Sequence, residues 1–162
     1  MILPSLVLCA AMPFALGSGT NAVFRGEELS VVSRRCDMDR KSGVVLFEGE
    51  ARVDYRPGYT LCADRVYALF SGTNELDRLI ADGNVSVTNG VRVGVCDKAV
   101  FWRKRGEIEM TGWPDGRMAR LSDETANALA GRTMRFWLKT EQVEVSGAEL
   151  TVHKDGRSVR DL

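Results

Sequence analysis

The sequence predicts an all-β fold, an antiparallel sheet built from about four repeats of roughly 30 residues. Three observations predict it. Apolar and polar residues alternate with a period of two over long stretches, the pattern of strands with one buried face. Gly49, Gly83, Gly112 and Gly147 fall at corresponding points of those stretches, about thirty residues apart, in the range of stacked supersecondary units. Turn-forming clusters separate the stretches and leave no room for crossover connections, so successive strands run antiparallel.

The chain opens differently. From Ile2 to Ala22 there is no charged residue, and Ile2 to Gly17 is apolar apart from Ser5, followed by small residues over Ala15-Leu16-Gly17-Ser18-Gly19. A membrane span wants about 20 apolar residues, and Pro4 and Pro13 interrupt helical hydrogen bonding. No basic residue precedes the apolar run, and Leu8 stands before Cys9 where a lipoprotein needs a small side chain. Residues 1–22 are therefore expected to be a signal peptide or N-terminal hydrophobic segment, cleaved on export, retained as an anchor or buried as an N-terminal element. Residues 23–162 form one domain, and 162 residues suffice to bury a core without disulfides or metals.

Within that domain the strands read in order. Val45, Phe47, Gly49, Ala51, Val53 and Tyr55 share one face, with Leu46, Glu48, Glu50, Arg52 and Asp54 on the other. Leu79, Ala81, Gly83, Val85 and Val87 repeat the arrangement against Ile80, Asp82, Asn84, Ser86 and Thr88. Ile108, Met110 and Gly112, then Val143, Val145 and Gly147, repeat it again. A second element recurs between them, a small residue, a polar pair and then an aromatic: Ala63-Asp64-Arg65 to Tyr67, Cys96-Asp97-Lys98 to Phe101, and Gly131-Arg132-Thr133 to Phe136. Turns are expected at residues 40–43, 56–58, 71–74, 88–90 and 103–106, with Asn89-Gly90 suited to a type I′ hairpin. Ser122 to Ala130 is either a short helix with a serine cap or a polar loop, and Lys154 to Leu162 reads as a frayed tail.

Composition excludes several classes of function. Lys plus Arg number 22 and Asp plus Glu number 22, so no net field draws the chain to nucleic acid, and disorder does not fit 44% hydrophobic residues. With Cys9 in the leading segment, Cys36, Cys62 and Cys96 remain, allowing at most one internal bridge; Cys62 and Cys96, one repeat apart, are a possible pair. No CxxC pair occurs and His153 is the sole histidine, so neither a metal site nor a cofactor is expected. Asp64, Asp82 and Asp97 recur with the repeat, but their parity points to solvent, outside the enclosed pocket that acid–base catalysis requires, and the chain is not read as an enzyme.

An apolar face of this extent must be buried on itself or on a partner, by closing into a sandwich or by creasing around a groove. Glycines repeated along the inner face, with Ala51, Ala63, Ala81 and Ala99, suggest a sheet creased along a line. The run Gly43 to Val53 with Phe47-Glu48-Gly49-Glu50-Ala51, then Ala63-Asp64-Arg65-Val66-Tyr67, then Ile80-Ala81-Asp82-Gly83-Asn84-Val85, resembles the repeat of the LptA/OstA family. Met110-Thr111-Gly112-Trp113-Pro114 is similar to an element that closes a later repeat of that family, and the likeness runs from about Ser30 to Val152.

The resemblance implies a creased antiparallel β-jelly roll, open at both ends, that binds lipopolysaccharide in the periplasm and helps bridge the inner and outer membranes. It implies as partners LptC-like and LptD-like domains joined by edge-strand addition, and a head-to-tail homo-oligomer. A retained leader would instead make the chain an LptC-like component anchored in the inner membrane. The groove lining expected for the acyl chains is Val45, Phe47, Val53, Leu79, Val85, Val87, Ile108, Met110, Val143 and Val145. Glu50-Ala51 and Gly112-Trp113-Pro114 depart from the pattern, where pairing or groove depth would differ. The basic turn Arg103-Lys104-Arg105 is either a contact for head-group phosphates or a solvated hairpin tip. A β-scaffold that docks partners by strand addition without binding lipid is the rival reading.

Overall fold

The computed structural model describes residues 22–25, 29–56, 58–72, 75–125, 127–151, 153–154 and 157–158. Strands β1 (Ala22–Arg25), β2 (Leu29–Ser33) and β3 (Arg35–Asp39) precede four long ones, β4 (Val44–Tyr55), β5 (Tyr59–Phe70), β6 (Leu76–Asn89) and β7 (Arg92–Trp102). Then come β8 (Glu107–Thr111), β9 (Ala119–Ser122), β10 (Ala128–Gly131), β11 (Thr133–Trp137), β12 (Val143–Ser146) and β13 (Glu149–Thr151). These form one antiparallel sheet that does not close into a barrel. A separate hairpin pairs β14 (His153–Lys154) with β15 (Arg157–Ser158).

A single crease divides the sheet. The ladder shifts register between Glu48 and Ala51 on β4, between Cys62 and Arg65 on β5, and between Asp82 and Val85 on β6, and these points lie side by side. The chain on either side forms two leaves. The first leaf runs β3, β4, β5, β6, β7, β8, β11, β12; the second runs β1, β2, β4, β5, β6, β7, β9, β10, β13. Strands β4 to β7 pass through both leaves. β2 continues into β3, β8 into β9, β10 into β11 and β12 into β13, so each of these pairs is one creased strand interrupted at the fold line.

Neighbouring strands bend by different means. On β4, Gly49 (φ 82°) and Glu50 (φ 48°) are consecutive left-handed residues; on β6, Gly83 (φ 82°) and Asn84 (φ 47°) repeat the pair. Two residues spent in the bend keep the alternation in phase, so Val45 and Phe47 before it and Ala51 and Val53 after it all face inward. On β5 the phase slips instead: Leu61 and Ala63 point in, Asp64 and Arg65 both point out, and Val66 and Ala68 point in again. β7 slips in the same way at Asp97 and Lys98, between buried Cys96 and Ala99.

The two kinds of bend interlock. A Cβ on Gly83 would sit 2.6 Å from Asp64 Oδ2, and one on Gly49 would sit 3.0 Å from Arg34 Cβ, so the left-handed residue of one strand makes room for the bend residue of the next. Charges tie the same line on its outer side. Arg34 pairs with Glu50 at 2.8 Å, Asn84 Nδ2 donates to Asp64 Oδ2 at 2.9 Å, and Arg65 Nη2 donates to Asp82 Oδ2 at 2.8 Å. Asp64 and Asp82, two of the aspartates that recur with the repeat, thus stand on the outer crease and brace it. Gly112 is the exception: its φ is ordinary, its amide donates to Arg132 O at 2.9 Å, and residues 113–118 loop out before β9 resumes the strand.

The all-β, creased antiparallel jelly roll read from the sequence is the fold observed, and four local expectations need correction. Of the two readings of Ser122 to Ala130, the helix is absent among the described residues and a polar loop stands between two strands. Ser122 ends β9, Ala128 begins β10, and Asp123 Oδ1 accepts from the amides of Thr125 and Asn127, a side-chain turn that competes with a helix cap. The hairpin at Asn89-Gly90 has Asn89 in the closing pair with Arg92, so Gly90 and Val91 form the loop and only Gly90 has positive φ, the type II′ pattern. Cys62 and Cys96 are not joined, because Cys96 is a free thiol and β6 lies between the strands that carry them. Of the tail, Lys154, Arg157 and Ser158 are described and lie in the β14–β15 hairpin; the rest falls outside the described residues, as does the expected leader up to residue 21.

Two measurements test this account. Gly83→Ala is expected to lose about 1–3 kcal/mol in chemical denaturation, from left-handed strain and the collision with Asp64. Gly72→Ala, whose added carbon meets nothing within 4 Å, should stay within about 0.5 kcal/mol of the parent. Burial pushes the Cys96 thiol up to about 12, so it should resist alkylation at about pH 8 until the protein is unfolded. Exposed Cys36 should react in the native state, slowed because partial burial and then Asp37 raise its thiol pKa.

Candidate functional site

The inner faces of the two leaves converge on the crease. There small and large side chains share a row: Ala51 pairs with Ala63 on one side of the fold, and on the other Phe47, Val66, Ala81, Ala99, Met110 and Met134 stand level across successive strands, all buried. Val85 and Cys96 pair beside the fold as well, and Val31 and Leu79 are fully buried one row farther out. Each such side chain contributes about 1.5–3 kcal/mol relative to exposure.

Aromatic pairs bridge the leaves at the side farthest from the crease. Tyr55 of the second leaf meets Phe101 of the first with ring centroids 5.1 Å apart and planes at 55°. Tyr59 and Phe136 meet likewise at 6.1 Å and 58°. Tilted ring contacts of this kind add about 0.5–1.5 kcal/mol each beyond their burial. They hold the mouth of the wedge together.

Two apolar cavities lie along this seam. One of about 30 Å³ is lined by Tyr59, Val87, Asn89, Arg92, Gly94, Ile108, Met110, Leu121 and Phe136. The other, about 20 Å³, is lined by Leu29, Val53, Tyr55, Tyr59, Leu61, Leu79, Val87, Phe101, Ile108 and Leu138. Val87, Ile108 and Tyr59 border both, so the two lie side by side. Each is the size of one or two water-sized groups, and a hydrocarbon chain enters only if the leaves part. The polar groups at the mouth are few. Burial pushes the Tyr59 phenol up, opposed by its hydrogen bond with Asn89.

The residues expected to line a groove divide into three groups. Val53, Leu79, Val87, Ile108 and Met110 border the cavities. Val45, Phe47 and Val85 are buried in the packed layer nearer the crease. Val143 and Val145 on β12 face inward opposite Phe136 and Met134 and are half-buried at the edge of the first leaf. Tyr55, Tyr59, Leu61, Phe101, Leu121, Phe136 and Leu138 were absent from the expected lining. Most lie on strands where alternation slips or is interrupted, although Phe101 and Phe136 close the recurring small, polar and aromatic element.

The inner face runs out at both ends of the first leaf. On β3, Cys36 and Met38 stand opposite inward-facing Phe47 and Val45, yet Cys36 is exposed and Met38 is 60% exposed. Val143 and Val145 play the corresponding part on β12. The interior is therefore buried in its middle and apolar out to both rims. On the outer face, the turn after β7 carries Arg103, Lys104 and Arg105, and Trp102 stacks with the guanidinium groups of Arg78 (5.0 Å) and Arg105 (4.9 Å).

No family model matches the sequence, and no curated protein matches it at a significant level. Solved structures do match. The chain superposes with a TM-score of 0.66 on the crystal structure of LptH, the LptA homologous periplasmic component of the conserved lipopolysaccharide transport device of Pseudomonas aeruginosa. The identity is 10%, and the match covers 78% of this chain and 95% of that one. The creased jelly roll described above is thus the fold of LptH, reached by a sequence with little residual identity to it.

Proposed function

We propose that this chain is a periplasmic lipopolysaccharide-binding transport protein whose inner seam shields acyl chains and which helps bridge the inner and outer membranes. The observation that carries the reading is the interior: a buried apolar face, folded along one crease and apolar out to both rims, in a fold shared with a periplasmic component of a lipopolysaccharide transport device. Each methylene moved from water into such a seam gains about 0.8 kcal/mol. A chain of a dozen methylenes would bring about 10 kcal/mol, to set against ring contacts worth about 0.5–1.5 kcal/mol each and the aliphatic packing around them, which the chain itself would cover again. The crease supplies the hinge, the Tyr55–Phe101 and Tyr59–Phe136 contacts are the closures, and the polar head group stays outside.

The free edges β3 and β12 suit strand addition by related LptC-like and LptD-like domains, which would extend the apolar face from one domain to the next. With residues 1–22 removed, the chain is a soluble carrier; with them retained, it is an anchored component of the same route. The cavities of about 30 and 20 Å³ favour a second reading, a scaffold that docks partners by its edges and never opens.

Photo-crosslinking separates the two. A photoreactive residue at Val87 or Ile108 is expected to label lipopolysaccharide, and one at outward-facing Ser86 or Glu109 is expected to label far less. Labelling that is absent from the inner positions, or equal on both faces, leaves only the scaffold. Phe101→Leu keeps an apolar side chain but removes the ring contact with Tyr55, so it should cost about 1 kcal/mol of stability and speed lipopolysaccharide uptake. An unchanged uptake rate would place entry away from this closure.

A further inference from the structure

We propose that the outer face of the first leaf docks on an anionic membrane surface. This face is apolar where the solvent side of an antiparallel sheet is ordinarily polar. Across β4 to β7, Leu46, Tyr67, Ile80 and Val100 stand level in one row, and Val44, Leu69, Arg78 and Trp102 stand level in the next, nearer the tip of the leaf. Each is partly exposed and neighbours a buried inner residue of its own strand.

The same strands continue into the second leaf and look different there. Their outer rows carry Arg52, Cys62 and Ser86, then Asp54, Thr60 and Thr88, and only β7 adds valines, Val95 and Val93. Strands with a polar outer face thus form the second leaf, so folding by itself does not call for the apolar one on the first. An exposed apolar patch with a polar rim marks a surface that meets something else. β4 to β7 are interior strands whose backbone groups serve the ladder, so this face offers side chains and not an edge.

Charge selects the occupant. The turns at the tip of the leaf bring up Arg40 and Lys41 between β3 and β4, and Arg103, Lys104 and Arg105 between β7 and β8, all exposed. Arg78 and Arg105 lie over the Trp102 ring at 5.0 and 4.9 Å. Arg78 is held by that ring rather than by a bonded carboxylate: its Nε has no hydrogen-bond acceptor, and Asp77 Oδ2 is 3.9 Å away. The other acidic groups at this end are Glu75, Glu141 beside Lys139, and Asp39, which accepts from the Lys41 amide and the Ser42 hydroxyl. To the sides of the apolar rows, Glu107 and Glu109 lie 3.7 and 2.9 Å from Arg135, and Asp37 lies 3.8 Å from Arg35. The surplus at the tip is therefore positive. Tryptophan and tyrosine rings on an apolar plate, with arginine and lysine at one end, match the boundary between acyl chains and anionic head groups.

The three tryptophans report the contact. Trp102 and Trp137 lie level on this face, on either side of buried Glu107, whereas Trp113 stands at the crease with Arg117 4.6 Å from its ring. Full-length protein is mixed with vesicles of phosphatidylethanolamine and phosphatidylglycerol carrying brominated acyl chains, which quench indole fluorescence on contact. The vesicles contain no lipopolysaccharide, so the outcome is independent of the inner seam. Trp113→Phe, which keeps the two tryptophans of the face, is expected to be quenched strongly, and Trp102→Phe with Trp137→Phe, which keeps Trp113, far less. Lys104→Glu, in an exposed turn, should raise the lipid concentration for half-maximal quenching roughly tenfold, and so should phosphatidylcholine in place of the anionic mixture. Three results overturn the docking face: quenching of Trp113 equal to that of the pair, a titration unmoved by Lys104→Glu or by lipid charge, or no quenching of Trp102 and Trp137 whether or not vesicles bind elsewhere on the chain, which leaves the face to a protein partner.

Discussion

The structure depends on bending every strand at the same level. A sheet with one apolar face has to bury it, and this chain does so by folding the sheet over on itself rather than by supplying a second sheet or a helix layer. That solution works only if the bends line up across neighbours, because one strand bent out of line would break the ladder on both sides. The alignment comes from the two interlocking devices. A left-handed Gly-Glu or Gly-Asn pair bends β4 and β6, an outward pair of polar residues bends β5 and β7, and the space of the missing Cβ is taken by Asp64 at Gly83 and by Arg34, between β2 and β3, at Gly49. Glu50 in a left-handed conformation costs about 1 kcal/mol or more, and its ion pair with Arg34 sits where it offsets part of that cost.

Packing follows from the bend. Two leaves meeting at an angle leave little room at the fold line and more room away from it. The row beside the fold mixes sizes, Phe47, Val66, Met110 and Met134 standing level with Ala81 and Ala99, so bulk on the outer strands is matched by small residues on the central ones. The tyrosine and phenylalanine contacts lie farther out, and the remaining space lies beside them.

Much of the fold was legible in the sequence, and what was hidden has a physical cause. β4 and β6 kept perfect alternation because their bends consume two residues, so the inner faces from Val45 to Tyr55 and from Leu79 to Val87 could be read directly. β5 and β7 change phase in mid-strand, and a period-two reading loses them at Asp64 and Asp97. That is why Leu61 and Phe101 escaped the expected lining while Val53 and Leu79 did not. The fate of Ser122 was decided by competition: Asp123 turns its carboxylate onto the following amides, and the segment becomes a hairpin. A filled core and a groove need the same inward residues, so no alternation pattern separates them, and the contacts of Tyr55 with Phe101 and of Tyr59 with Phe136 across the two leaves are seen only in the fold.

The alternation of bend types also limits how such a molecule can change length. A strand that turns by a left-handed glycine needs a neighbour that turns by a phase slip, and two strands of the same kind side by side would leave either a void or a collision at the fold line. Duplication or loss of a single strand therefore violates the rule at the junction, whereas a whole hairpin preserves it. The recurrence of about thirty residues in the chain is the length of one such hairpin, which carries one bend of each kind.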